Sequence, residues 1–182
     1  VIYHLTPWLT GNIGGGINAA IDCLPDDAWI CLRDGDTCFL TPQWGKQVEA
    51  VVAANGDKHP LIGAMTNRLR AEYQLHDGML SEDPDLSRHV RIAGERWDEY
   101  GTKVAPVIIG PVSGMLMLFR KSTWARHPFP EHSIYFDQAF TEAVRQDGGK
   151  PAIALGLYVL HLYRWGKPNP VGNVAHLCEV HP

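Results

Sequence analysis

Two aspartates separated by one glycine, Asp34-Gly35-Asp36, follow directly on the apolar run Trp29-Ile30-Cys31-Leu32-Arg33. The run is short, rich in Trp, Ile and Leu, and closed at once by turn residues, which predicts a buried strand. Two carboxylates at the end of such a strand repel each other. A divalent cation removes that repulsion, because hard cations take carboxylate oxygens as ligands. The pattern therefore points to a metal site, and a metal at a strand end commonly meets a phosphate. The same residues would also serve as a plain Asp-Gly turn after a strand.

The elements that must hold this pair are legible from the apolar periodicity. Val1 to Leu5 reads as a first strand ended by Pro7, and Gly11 to Gly16 as a glycine-rich turn. Ile17, Ala20, Ile21 and Leu24 then follow helical spacing. Strands are expected at Ala28 to Leu32, Leu61 to Met65, Val104 to Ile109, Met115 to Phe119 and Ala152 to Leu162. Helices are expected at Gln43 to Ala54, Leu86 to Tyr100 (Val90 and Trp97 on its apolar face) and Phe136 to Gln146. Residues 73 to 84, 127 to 134 and 166 to 182 read as loops. Strand and helix alternate through the first 65 residues, so the expected class is α/β, with a mostly parallel central sheet between helical layers. Ligands of such sheets collect at the carboxyl ends of the strands, where Asp34, Asp36 and His161 would all lie.

The chain has 182 residues, enough for one domain with a real core. Its apolar fraction of 45% and charged fraction of 20% are ordinary for a globular protein. A net charge of −4 disfavours a nucleic-acid partner, which needs clustered Lys and Arg. No apolar run reaches the roughly 20 residues of a membrane-spanning helix, and the first residues do not read as a leader peptide, so none is expected. The four cysteines, Cys23, Cys31, Cys38 and Cys178, show no C-x-x-C spacing. They read as small buried apolar residues in a reducing compartment, with the cytoplasm as the expected location.

Several pieces occur in an order that resembles a nucleotide-sugar glycosyltransferase of the GT-A fold, similar to the inverting family 2 enzymes in their short bacterial and bacteriophage versions. They are Ile2-Tyr3-His4 with Pro7-Trp8, Asn12-Ile13-Gly14 leading to Asn18, and Asp34-Gly35-Asp36. Then come Thr66-Asn67-Arg68, Val112-Ser113-Gly114 running into Met115 to Lys121, Phe136-Asp137, and Tyr158 to Arg164. The resemblance covers nearly the whole chain. It implies a minimal, Rossmann-like three-layer sandwich in one domain. A donor half would span about 1–66, an acceptor and catalytic half 67–165, and a terminal loop 166–182.

The resemblance also implies roles. Asp36 would ligate Mn²⁺ or Mg²⁺ on the diphosphate of a nucleotide-sugar donor, and Asp34 would bind the metal through water or hold the ribose. His161 would add a nitrogen ligand, which suits Mn²⁺ better than Mg²⁺; a satisfied core histidine is the plainer alternative. Asp137 would be the base that deprotonates a saccharide or other hydroxyl acceptor, with Glu131 a weaker second choice. Tyr3, Pro7, Trp8 and Asn12 would line the nucleotide, and Asn18 matches a family asparagine. Arg33, Arg164 or Lys167 would meet diphosphate charge, and Gly114 would either admit the acceptor sugar or relieve crowding. The sequence departs from the family in lacking a further strand with an aspartate pair between Leu5 and Asn12, so the base of the donor stays open. It also lacks an obvious acceptor domain, so a small acceptor, a partner protein or a second copy would complete it. A nucleotidyltransferase on the same fold and a non-catalytic sugar- or nucleotide-binding domain are the alternatives. A haloacid-type phosphatase fits poorly, because Cys38 stands where its pattern requires Thr or Val.

Overall fold

A computed structural model of the chain describes residues 1–163 and 165. Its elements are β1 (Ile2–Leu5), α1 (Ile13–Asp22), β2 (Trp29–Arg33), β3 (Thr37–Phe39), α2 (Trp44–Asn55), β4 (Leu61–Thr66), α3 (Leu86–Tyr100), β5 (Val104–Pro106), β6 (Leu116–Arg120), α4 (Lys121–Arg126), α5 (Phe136–Gln146) and β7 (Ala152–His161). Seven strands form one sheet in the order β1-β2-β6-β4-β7-β3, with β5 also paired to β7.

The class is α/β, but the sheet is mixed rather than mostly parallel. β1–β2 and β4–β7 pair in parallel; β2–β6, β4–β6, β3–β7 and β5–β7 pair antiparallel. β1, β2, β4 and β7 still share one direction, and β6 runs against them between β2 and β4. Their carboxyl ends therefore share one rim, to which β6 contributes its amino end.

Strand side chains alternate between two cores, as the pleat requires. Ile30, Leu32, Leu61, Met65, Met117 and Phe119 pack on one face with α1, α4 and α5, through residues such as Ile17, Ile21, Trp124, Phe136, Phe140 and Val144. Cys31, Ile62, Ala64, Leu116 and Leu118 pack on the other face with Val48 and Val51 of α2. Helices thus cover both faces.

Local chemistry moved several boundaries. The glycine run is the first turn of α1, not a turn before it, with Asn12 as its cap. A Cβ on Gly14 would stand 2.0 Å from the Pro130 carbonyl oxygen, so these glycines admit close packing inside a helix. The strand expected over 104–109 stops at Pro106. Two short elements, β3 and α4, escaped the periodicity because a strand of three residues and a helix of six carry too little pattern. On α3 the buried face is His89, Ile92, Ala93 and Arg96, whereas Val90 is exposed; hydrogen-bonding partners make a polar face affordable there. Cys23 and Cys38 are exposed, contrary to expectation, and Cys31 is buried as expected.

β7 carries an irregularity that decides where its end points. Its register on β4 jumps from Ala64↔Ala154 to Met65↔Tyr158. Ile153 faces the first core and Val159 the second, although both numbers are odd, so the bulge reverses the parity of everything beyond it. Gly156 sits in the bulge, where a Cβ would meet the Gly101 carbonyl oxygen at 2.2 Å. No helix among the described residues is long and apolar enough to cross a membrane.

Candidate metal centre

Asp34 and Asp36 stand in the turn from β2 to β3, at the shared rim. The turn is pinned by backbone bonds from Asp34 N–H to the Met115 carbonyl (3.1 Å) and from Thr37 N–H to the Asp34 carbonyl (3.3 Å). Arg33 closes it with a guanidinium bond to the Thr37 carbonyl (2.9 Å). Thr37 then pairs with His161 at the end of β7. This pairing brings residues more than 120 positions apart to one point.

One ligand atom from each of Asp34, Asp36 and His161 lies within 4.8 Å of the others. His161 Nε2 is 3.3 Å from Asp36 Oδ1 and 3.8 Å from Asp34 Oδ2. The other ring nitrogen, Nδ1, is 2.9 Å from the Arg68 carbonyl oxygen. A carbonyl only accepts, so Nδ1 carries a hydrogen, and Nε2 is the ring atom that faces the two carboxylates. Nε2 is buried and has no hydrogen-bond partner among the described residues. Two carboxylates and one ring nitrogen that converge in this way can hold a cation. Ligands about 2.0–2.2 Å from one ion stand within about 4.4 Å of each other, close to the span found here. A donor set of two carboxylates and one imidazole could hold a divalent cation.

Electrostatics follow the same geometry. Burial, together with the charges of Asp36 and Asp137, pushes the Asp34 carboxyl up to about 6 against the opposing effect of His161. Burial would also raise Asp36, but the close approach and charge of His161 outweigh it and hold Asp36 below the usual carboxylate range. Asp137, in the first turn of α5, is raised by burial even though it accepts hydrogen bonds from Gly114 N–H (3.0 Å) and Gln138 N–H (2.7 Å). Gly114 adjoins Met115, whose carbonyl holds the Asp34 N–H, so Asp137 lies close to the same rim.

The other expected contacts divide. Trp8 follows β1 at the rim and is 78% exposed, so it is not a core residue. Pro7 adjoins it, whereas Tyr3 lies within β1 opposite Ile30, short of the rim. The Asn12 amide caps α1 at Gly15 N–H (2.9 Å), accepts from His132 N–H (3.0 Å) and donates to Glu131 (3.0 Å). The Asn18 oxygen accepts from Trp124 Nε1 (2.8 Å) and Phe129 N–H (3.0 Å), and its nitrogen donates to the Phe129 carbonyl (2.9 Å). Both asparagines are thus engaged in fastening α1 to the 127–134 segment. Gly114 has no room for a Cβ, which would meet the Phe136 ring at 2.5 Å; the crowding is relieved against Phe136. Arg164 and Lys167, and with them the loop expected over 166–182, lie outside the described residues.

In the sequence, Asn67 and Arg68 enter only as part of the resembling segment Thr66-Asn67-Arg68, with no role assigned. Both are buried beside His161, in a polar triplet, Thr66-Asn67-Arg68, at the end of a fully buried strand. Such a triplet has no reason to be buried unless its groups are bonded, and that is the signal that could have found them. The chain matches no family model and no curated protein sequence.

Proposed function

We propose that the chain is a metal-dependent, inverting glycosyltransferase of GT-A type that uses a nucleotide-diphosphate sugar. The observation that carries the reading is the convergence of Asp34, Asp36 and the buried Nε2 of His161 within 4.8 Å, with Asp137 bonded to Gly114 beside the strand that holds Asp34. Asp36, Asp34 and His161 would hold Mn²⁺ or Mg²⁺, which neutralises charge on a leaving diphosphate. Asp137 takes the proton from the acceptor hydroxyl while that oxygen bonds to the anomeric carbon and the bond from carbon to phosphate oxygen breaks. Its burial raises its proton affinity toward that of a useful base. Trp8, exposed beside the rim, offers a face for the nucleotide base. Arg33 stands next to the aspartates, where a donor would lie. A cytoplasmic enzyme accords with the buried free thiol of Cys31.

The test is a thermal-shift panel of nucleoside diphosphates with and without Mn²⁺, followed by transfer assays with the donors that bind. A Mn²⁺-dependent shift with at least one nucleoside diphosphate is expected, and the product should have inverted anomeric configuration. No shift with any of them, or a retained configuration, refutes the reading. Release of pyrophosphate from a nucleoside triphosphate and a sugar phosphate would favour a nucleotidyltransferase instead.

A further inference from the structure

A clasp of bonds surrounds His161 from behind. Asn67 Oδ1 accepts the backbone N–H of His161 at 2.8 Å and the Thr66 hydroxyl at 3.2 Å. Its Nδ2 donates to the Ser81 carbonyl at 3.1 Å, and the Ser81 N–H returns a bond to the Asn67 carbonyl at 2.8 Å. Next to it, Arg68 gives its carbonyl to His161 Nδ1. The Arg68 guanidinium, fully buried, pairs with the Glu82 carboxylate and donates to the Tyr163 carbonyl. Tyr163 stacks on the His161 ring, with centroids 5.6 Å apart and planes at 19°. Residues 67–68 and 81–82 thus join the two ends of the intervening segment directly behind the imidazole. Glu82 is 46% exposed at its side chain, so the clasp runs from the surface to the centre.

We propose that Asn67, reinforced by the Arg68–Glu82 ion pair, positions His161 as a metal ligand. Asn67 fixes the height of the end of β7, and the Arg68 carbonyl fixes the tautomer and rotation of the ring. The Asn67 amide is engaged with His161 and Ser81, and the Arg68 guanidinium with Glu82 and Tyr163. Groups that orient a ligating histidine in this way govern metal affinity through the ligand, commonly by 10–100-fold. The proposal rests on the metal reading above, but the state of the His161 ring can be measured without metal.

The experiment uses the full chain and the variants Asn67→Ala, Asn67→Asp and Glu82→Gln. Nitrogen-15 NMR of the apo protein should show a protonated, hydrogen-bonded Nδ1 on His161 in the wild type. Asn67→Ala should scatter this into a tautomer mixture and weaken Mn²⁺ binding, followed by electron paramagnetic resonance, about 10–100-fold. Asn67→Asp keeps the acceptor for His161 N–H but loses the donor to the Ser81 carbonyl, and should restore part of the affinity. Glu82→Gln keeps a hydrogen-bond acceptor for the buried Arg68 guanidinium while removing the counter-charge, and should weaken Mn²⁺ binding in the same direction by a smaller factor. It keeps the proposal testable where Asn67→Ala does not fold. An unchanged tautomer and unchanged affinity in the folded variants overturn the proposal. A wild type that binds no Mn²⁺ overturns the metal reading alone, and the tautomer comparison still decides whether Asn67 positions the ring.

Discussion

Replacing Asp34 with asparagine should have opposite effects on the apo and the metal-loaded protein. The Asp34 carboxyl is pushed from 3.8 up to about 6, first by burial and then by Asp36 and Asp137, against His161. A raised carboxyl binds more protons in the folded than in the unfolded state between about pH 4 and 6. Stability therefore falls as pH rises through that window, and the deficit is fully present above it. The shift corresponds to about 3 kcal/mol at most. The side chain is 41% exposed, so screening reduces this to about 1 kcal/mol. Asp34→Asn should accordingly raise the apo melting temperature at pH 8 by about 2–4 °C, with the gain vanishing near pH 4. Mn²⁺ at a hundredfold excess over Kd should stabilise the wild type by about 2.7 kcal/mol, or about 5–10 °C. The variant has lost one carboxylate ligand and should bind at least about tenfold more weakly. At the same Mn²⁺ concentration its shift should be at most about half that of the wild type. Differential scanning fluorimetry at pH 4 and 8, with EDTA and with Mn²⁺, reads all four quantities. An apo variant less stable than wild type at pH 8 would refute the electrostatic reasoning, and an equal Mn²⁺ shift in both proteins would refute the metal centre.

Other perturbations separate chemistry from architecture. Asp137→Asn should retain Mn²⁺-dependent nucleotide binding and lose transfer by about 10²–10⁴-fold, the usual contribution of a positioned base; full transfer activity would remove Asp137 from that role. Gly156→Ala should destabilise the protein by about 1–3 kcal/mol, since its Cβ would overlap the Gly101 carbonyl at 2.2 Å. Because the bulge aims His161, this variant should also bind Mn²⁺ more weakly, and calorimetry reads both effects. Thiol alkylation of the native protein at pH 8 should modify the exposed Cys23 and Cys38 rapidly. Cys31, whose thiol burial pushes up to about 12, should react only on unfolding, as peptide mapping would reveal.

Much of the architecture was legible because it is periodic. The long helices Trp44–Asn55, Leu86–Tyr100 and Phe136–Gln146 lie where helical spacing and breakers put them, and the apolar strands at 29–33, 61–66, 116–120 and 152–161 do too. Pairing direction was not legible. A strand's side-chain pattern records which faces are buried, not which way its neighbours run, so the reversed β6 between β2 and β4 gave no sign of itself. Among site residues, Asp34 and Asp36 were visible because two charges ending an apolar strand need a reason. Asn12 and Asn18 were legible as polar groups near the start of a helix, and the structure adds that both fasten helix α1.

By itself the sequence determined the composition of the centre: two carboxylates one residue apart, a histidine closing the last apolar strand, and an aspartate opening a helix. Their meeting depends on contacts that no local pattern encodes. The pairing of Thr37 with His161 and the parity reversal at Gly156 bring the imidazole to the aspartates. The Arg68 carbonyl then selects the ring nitrogen that faces them. Side-chain type is a local property of the chain, whereas register, strand direction and tautomer are set by partners distant along it, and only the tertiary structure supplies those partners.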